Sequence, residues 1–379
     1  PPPVIHETPT VSPTSAPSPT APPTSVIANL HMVTATVGWA QRQADEAILH
    51  TTLGVRTWSV ATPHIGGEQI IAVSFVDADT ARALTAIIPA NGEAGSSVIH
   101  SWATDDGGVT WVNAGSFSGL ALQYEPNGTL DFVDRDHGWF SVTGLAAAGS
   151  SAIYVYRTVD GGKHWSEVDA TSVVPAPGRT QLPSGCDKNP VSFINTATGW
   201  ATAACNGGSA FLYVTHDGGV TWRAQSLGIT PSDYGYTLDP PQFVSGSVGF
   251  MAGYVGLPPG PHATLYVTSN GGATWTPRST PDYFPEASDF IDAEDGWLLL
   301  NNPGSATGAG SLWVTHNAGR TWTNLQATAS LDGLSLEFVT PQIGWAFTSI
   351  PVGSGAARGL LQTTDGGHTW TAVTATIRG

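Results

Sequence analysis

The chain has 379 residues, enough for one large domain with a real core. Only 11% of residues are charged, and 13 Lys and Arg against 29 Asp and Glu give a formal net charge of −16. Such a surface repels phosphate and anionic lipid, which excludes nucleic acid as an expected partner, and no apolar run is long enough to span a membrane.

Residues 1–26 form a Pro/Thr/Ser-rich segment, with nine Pro in the first 25 positions. A segment of that composition cannot bury enough apolar surface to fold and favours extended polyproline II. It is expected to be a linker or stalk that lifts the folded part, residues 27–379, off a surface. The chain begins at Pro1, so a leader or lipid-anchor segment is expected to have been removed.

From residue 27 the chain repeats itself. One motif reads TTLGVRTW at 51–58, a worn copy. It returns as TDDGGVTW at 104–111, TVDGGKHW at 158–165, THDGGVTW at 215–222, TSNGGATW at 268–275, THNAGRTW at 315–322 and TTDGGHTW at 363–370. Each copy follows an alternating run such as Phe211–Val214, and its Asp-Gly-Gly or Asn-Gly-Gly core is hairpin-turn chemistry. Asp106, Asp160, Asp217, Asn270, Asn317 and Asp365 are therefore read as structural turn-closing residues. Two of the six are Asn and cannot act as ionised acids, and one active site does not need its acid in every repeat. The closing Trp58, Trp111, Trp165, Trp222, Trp275, Trp322 and Trp370 are read as packing between layers.

A second motif precedes each copy: MVTATVGW at 32–39, the weak FVDADTAR at 75–82, FVDRDHGW at 132–139, FINTATGW at 193–200, FVSGSVGF at 243–250, FIDAEDGW at 290–297 and FVTPQIGW at 338–345. It supplies a strand, a polar turn and a second strand. Every unit thus reads strand, turn, strand, loop, strand, turn, strand. Repeated seven times without helix, this predicts an all-β fold, a seven-bladed β-propeller of four-stranded antiparallel blades. The units run approximately 27–61, 69–115, 126–169, 187–226, 238–279, 285–326 and 333–376. No strand is left over to close the ring by exchange.

Cys186 and Cys205 fall almost opposite each other when counted outward from the turn near 196–197, which predicts a disulfide and an oxidising compartment outside the cytosol. No metal-ligand spacing of Cys and His occurs. The acidic turns Asp77/Asp79, Asp134/Asp136 and Asp292/Glu294/Asp295 are read as ordinary β-turns, with calcium as the alternative and no other cofactor expected.

The motif Ser/Thr-x-Asp-x-Gly-x-Thr-Trp is the Asp-box, or BNR repeat, and Thr215–Trp222 matches it fully. Together with the preceding Phe-to-Gly-Trp motif, the chain resembles the photosystem II stability/assembly-factor type of propeller. More distantly, it resembles sialidase and sortilin-type propellers. The resemblance covers residues 27–379 and implies the fold rather than one activity. A sialidase would need an Arg-Ile-Pro motif before the first box, and none is present.

In such a ring the box turns share a face with the turns between strands one and two. The opposite face collects longer loops, where binding residues tend to sit. There an acid–aromatic theme recurs in Tyr124 and Glu125, in Asp233, Tyr234, Tyr236 and Asp239, and in Asp282, Tyr283 and Glu286, with Arg278 beside them. Further cations expected on that face are Arg42, Arg179, Lys188 and Arg358. The expectation is an extracytoplasmic, secreted or surface-tethered, non-catalytic propeller that binds a protein or a glycan. The alternatives are a glycoside hydrolase working on the loop face, with carboxylates about 5–9.5 Å apart, and an architectural module of a surface assembly.

Overall fold

The computed structural model describes residues 25–87, 98–119, 128–146, 149–171, 181–228, 235–257, 260–281, 284–301, 310–327, 331, 335–352 and 355–378. The Pro-rich segment before Ser25 lies outside them.

The repeated turn is built by its own side chains. In the copy at 215–222, Thr215 Oγ1 donates to Asp217 Oδ1 at 2.8 Å and accepts the Gly219 N–H at 2.9 Å. Asp217 in turn accepts the Thr221 N–H at 2.8 Å and its hydroxyl at 2.6 Å. Gly218 and Gly219 sit at φ 73° and 94°, a region that costs glycine nothing. The same bonds recur around Asp106, Asp160 and Asp365. At Asn270 and Asn317 the side-chain amide donates to Thr274 and Thr321 instead. A backbone bond then ties each box turn to the turn between strands one and two of its unit, as from Gly218 to Ala197 and from Gly366 to Gln342. The two turn sets share one face, as the repeat predicts.

Every regular element among the described residues is a strand, arranged as four-stranded antiparallel blades around a ring. The first blade contains Ile27–Met32, Gly38–Arg42, Ile48–Thr51 and Thr57–Val60. Five blade-sized sheets stand apart, four of four strands and one of five, and a further sheet holds ten. Seven separate sheets are thus not what forms. Gly199–Cys205 runs past its own unit and pairs with Tyr236–Leu238 of the next, Ala204 opposite Thr237 and Cys205 opposite Tyr236. A second correction concerns closure. The chain end does supply an extra strand: Thr376–Arg378 lies parallel to Thr57–Val60, with Ile377 opposite Trp58.

Neighbouring units are joined by an aromatic sandwich that both motifs build. The Trp of the Gly-Trp pair stacks on the Phe that opens the next unit: Trp139 on Phe193 at 3.6 Å and 3°, Trp297 on Phe338 at 3.7 Å and 2°. The box Trp of that next unit meets the same Phe edge-on, as Trp222 does at 6.2 Å and Trp370 at 6.2 Å. The preceding glycine is required because a Cβ on Gly296 would stand 2.1 Å from the Phe290 ring. Where the motif is worn, Arg82 replaces the Trp and lays its guanidinium 5.9 Å over Phe132. The last unit packs on the first in the same manner, with Trp345, Phe347 and Leu360 in one core with Ile27, Met32 and Leu49.

The disulfide is present. Asp187 pairs with Ala204, which sets Cys186 opposite Cys205 with their Cα atoms 4.6 Å apart.

Candidate functional site

The box carboxylates are occupied. Hydrogen bonds from Thr369 and Thr363 hold Asp365 down at about 2, and bonds from Thr110 and Thr104 hold Asp106 below the ordinary range. A carboxylate stabilised this way in its ionised form is a poor proton donor. The first acid of each acidic turn is likewise committed. Asp77 accepts the N–H groups of Asp79 and Thr80, Asp134 those of Asp136 and His137, and Asp292 those of Glu294 and Asp295, all at 2.7–2.9 Å.

A second polar set surrounds the ring axis. In each unit the residue just before the opening aromatic or Met is polar, and its side chain reaches the following unit. Ser74 Oγ accepts the Phe132 N–H at 3.1 Å, and Asp131 that of Phe193 at 3.0 Å. Gln242 accepts that of Phe290 at 3.1 Å, and Asp289 that of Phe338. Glu337 Oε1 accepts the Met32 N–H at 2.7 Å and so joins the last unit to the first. Burial pushes Asp131 and Asp289 up to about 6, and burial with the nearby Asp289 charge pushes Glu337 up to about 8. The His31 ring lies 3.6 Å from Glu337 and is itself pushed down by burial. Sequence reading missed this set, although a polar residue directly before the opening aromatic or Met in all seven units was a legible signal.

Two cavities open beside the first two units, the axial one reaching the third. One, of 610 Å³, borders the axis and is lined by Asn29, His31, Gln41, Glu46, Ser74 and Thr129 among others. The other, of 640 Å³, opens beside the loop that follows Gly38–Arg42 and includes Arg42, Asp45, Glu46, Glu68 and Gln69. Glu68 is held from behind: its carboxylate meets His100 Nδ1 at 2.7 Å and accepts the Thr85 hydroxyl, which takes the Trp102 N–H at 2.9 Å. Arg42, expected as a cation here, is bound by both Asp45 oxygens at 2.7 and 2.6 Å.

The loop residues expected to bind are differently placed. Tyr124, Glu125, Asp233, Tyr234, Asp282, Tyr283 and the cation Arg179 lie outside the described residues. Tyr236 is only 2% exposed, so its ring fills core rather than offering a platform, because its strand bridges two units. Glu286 is exposed on the inner strand Phe284–Phe290 and Asp239 lies just past the end of Tyr236–Leu238, whereas Arg278 is half-buried on the outer strand Thr276–Ser279. Lys188 is a correction too. Its ammonium is buried and donates to the carbonyls of Ser151 and Gly185 at 2.7 and 2.8 Å, clasping the disulfide loop. Arg358 is half-buried, and its carbonyl accepts the Ser25 N–H at 2.6 Å, tying the start of the folded chain to the last blade.

Blades and axis together define a β-propeller, and solved structures agree. The chain is similar to YCF48 from Cyanidioschyzon merolae, at 16% identity and a TM-score of 0.50 over 90% of this chain and 96% of that one. A GH74 xyloglucanase from Xanthomonas campestris matches at 15% identity and a TM-score of 0.45, over 81% of this chain and 45% of its own. A structure of YCF48 bound to D1 peptide matches at 15% identity and a TM-score of 0.32, over 78% and 92%. At 16% identity and a TM-score of 0.50, the likeness to the Cyanidioschyzon merolae protein supports the fold and no activity. No family model and no curated protein matches the sequence. No helix among the described residues is long and apolar enough to cross a membrane.

Proposed function

We propose that this protein is an extracytoplasmic, non-catalytic propeller of the Asp-box type that binds a protein or glycan on the face opposite its box turns, without a cofactor. Its ten-stranded sheet counts as two fused blades, making seven, since each half contains one copy of both motifs. The observation that carries the reading is where the polar chemistry goes. The six repeated box residues are spent on their own turns, while open cavities of 610 and 640 Å³ adjoin the other face. The disulfide favours an oxidising compartment, and the Pro-rich segment before Ser25 suits a stalk.

A hydrolase is the second reading, favoured by Asp45, Glu46 and Glu68 bordering one groove. Two carboxylates facing a substrate are what glycoside hydrolysis requires. A glycan array and a displayed peptide library, run beside a panel of chromogenic glycosides, separate the readings; the peptide arm is included because a YCF48 structure contains a peptide. Binding without turnover supports the proposal. Turnover abolished by Glu68→Gln would overturn it in favour of the hydrolase, and silence in all three assays leaves an architectural module.

A further inference from the structure

We propose that the paired cavities beside the first two units, the axial one reaching the third, are a sugar site that takes neutral or amino sugars and rejects carboxylated ones. This rests on the binding reading above and names its ligand class and place. Each cavity is in the size range of small-ligand sites. They share one wall, the short loop carrying Glu46, so a ligand of two or three rings can lie across it.

That wall is built with care. Glu46 and Asn29 hold φ of 60° and 47°, a region few side chains adopt and one that clusters at ligand sites. Gln41 keeps both in place: its Oε1 accepts the Asn29 amide at 2.6 Å, and its own amide donates to the Glu46 carbonyl at 3.3 Å. The Glu46 side chain stays exposed at the boundary of the two cavities. Val60, Ile65 and Ile70 add apolar surface to the outer cavity, which suits the C–H face of a sugar ring.

Charge sets the specificity. Among the described residues Arg42 is the one Lys or Arg lining these cavities, and Asp45 already holds it through two bonds. His31, on the axial side, faces Glu337. Glu46, and Glu68 with His100 behind it, leave the groove acidic, so a ligand carboxylate meets repulsion without a free Lys or Arg to offset it, whereas an ammonium gains a partner.

The test uses the full chain on an array of neutral, glucosamine-terminated, sialic acid-terminated and glucuronic acid-terminated glycans, with titration calorimetry on the hits. Glu46→Gln should weaken amino-sugar binding about tenfold or more. Gln69→Ala, at an exposed position that will not disturb folding, should weaken both sugar classes, and Glu294→Gln, exposed on the box-turn face, should change neither. Strongest binding to the acidic glycans would overturn the inference. So would glycan binding that both variants leave intact, which moves the site elsewhere while sparing the binding reading. If no glycan binds, the inference falls, and the peptide library decides the broader reading.

Discussion

At the residue scale, two positions show how tightly the repeat constrains its side chains. Arg82 stands where other units carry an aromatic, 3% exposed, and its guanidinium donates to the carbonyls of Thr104 and Arg135 and meets Asp105 at 3.1 Å. Removing it takes a donor from the carbonyls of Ala81, Thr104 and Arg135 and uncovers Phe132. Arg82→Ala is expected to cost about 3 kcal/mol in chemical denaturation, and Arg82→Lys most of that, since an ammonium cannot fork between those partners. Gly296→Ala tests the close approach to Phe290. One methyl there forces apart a stacked interface, and a loss of roughly 1–3 kcal/mol is expected by the same measurement. A neutral outcome would mean the blades slide freely.

At the element scale, the box turn is autonomous, while ring closure depends on distant segments. Thr376–Arg378 pairs with the outer strand of the first blade, and the half-buried Ile377 packs on its core. Truncation after Ala375 should lower the calorimetric Tm by roughly 3–6 °C and leave the other blades folded; an unchanged Tm would show that closure rests on the aromatic interface alone. The Cys186–Cys205 bridge closes a loop with a sequence separation of 19. Its reduction should cost about 3 kcal/mol, read from denaturation with and without reductant. Mass spectrometry of the untreated protein should find the two thiols linked, and two free thiols would remove the case for an oxidising compartment.

For the molecule as a whole, the axial carboxylates make stability depend on pH. Asp131 and Asp289 rise from 3.8 to about 6 and Glu337 from 4.5 to about 8, so the folded state binds these protons more tightly than the unfolded chain. Their contribution is fully present below the unfolded values and is lost as pH rises through about 6 and then about 8. Asp365 works the other way: its contribution exists above 3.8 and disappears as pH falls toward about 2. Stability should therefore peak near pH 4–5. The Tm should fall by roughly 5 °C between pH 5 and pH 8.5. Glu337→Gln keeps an acceptor for the Met32 N–H and removes the ionisation, so it should flatten the upper part of that slope. A slope unchanged in this variant would place the alkaline sensitivity elsewhere.

Sequence alone determined the strand order within each unit, the role of Asp217 and its counterparts, and the pairing of Cys186 with Cys205. These follow from local rules: a turn needs particular φ angles and acceptors, and register along one hairpin is a matter of counting. What sequence alone could not supply was anything set by contact between units. The joining of two units into one ten-stranded sheet through Cys205 and Tyr236, the closing strand at Thr376–Arg378 and the burial of Lys188 all depend on residues far apart in the chain. The candidate groove is divided between the two kinds of contact: Asn29, Gln41 and Glu46 meet within the first blade, and Glu68 joins them only because the second blade packs beside it.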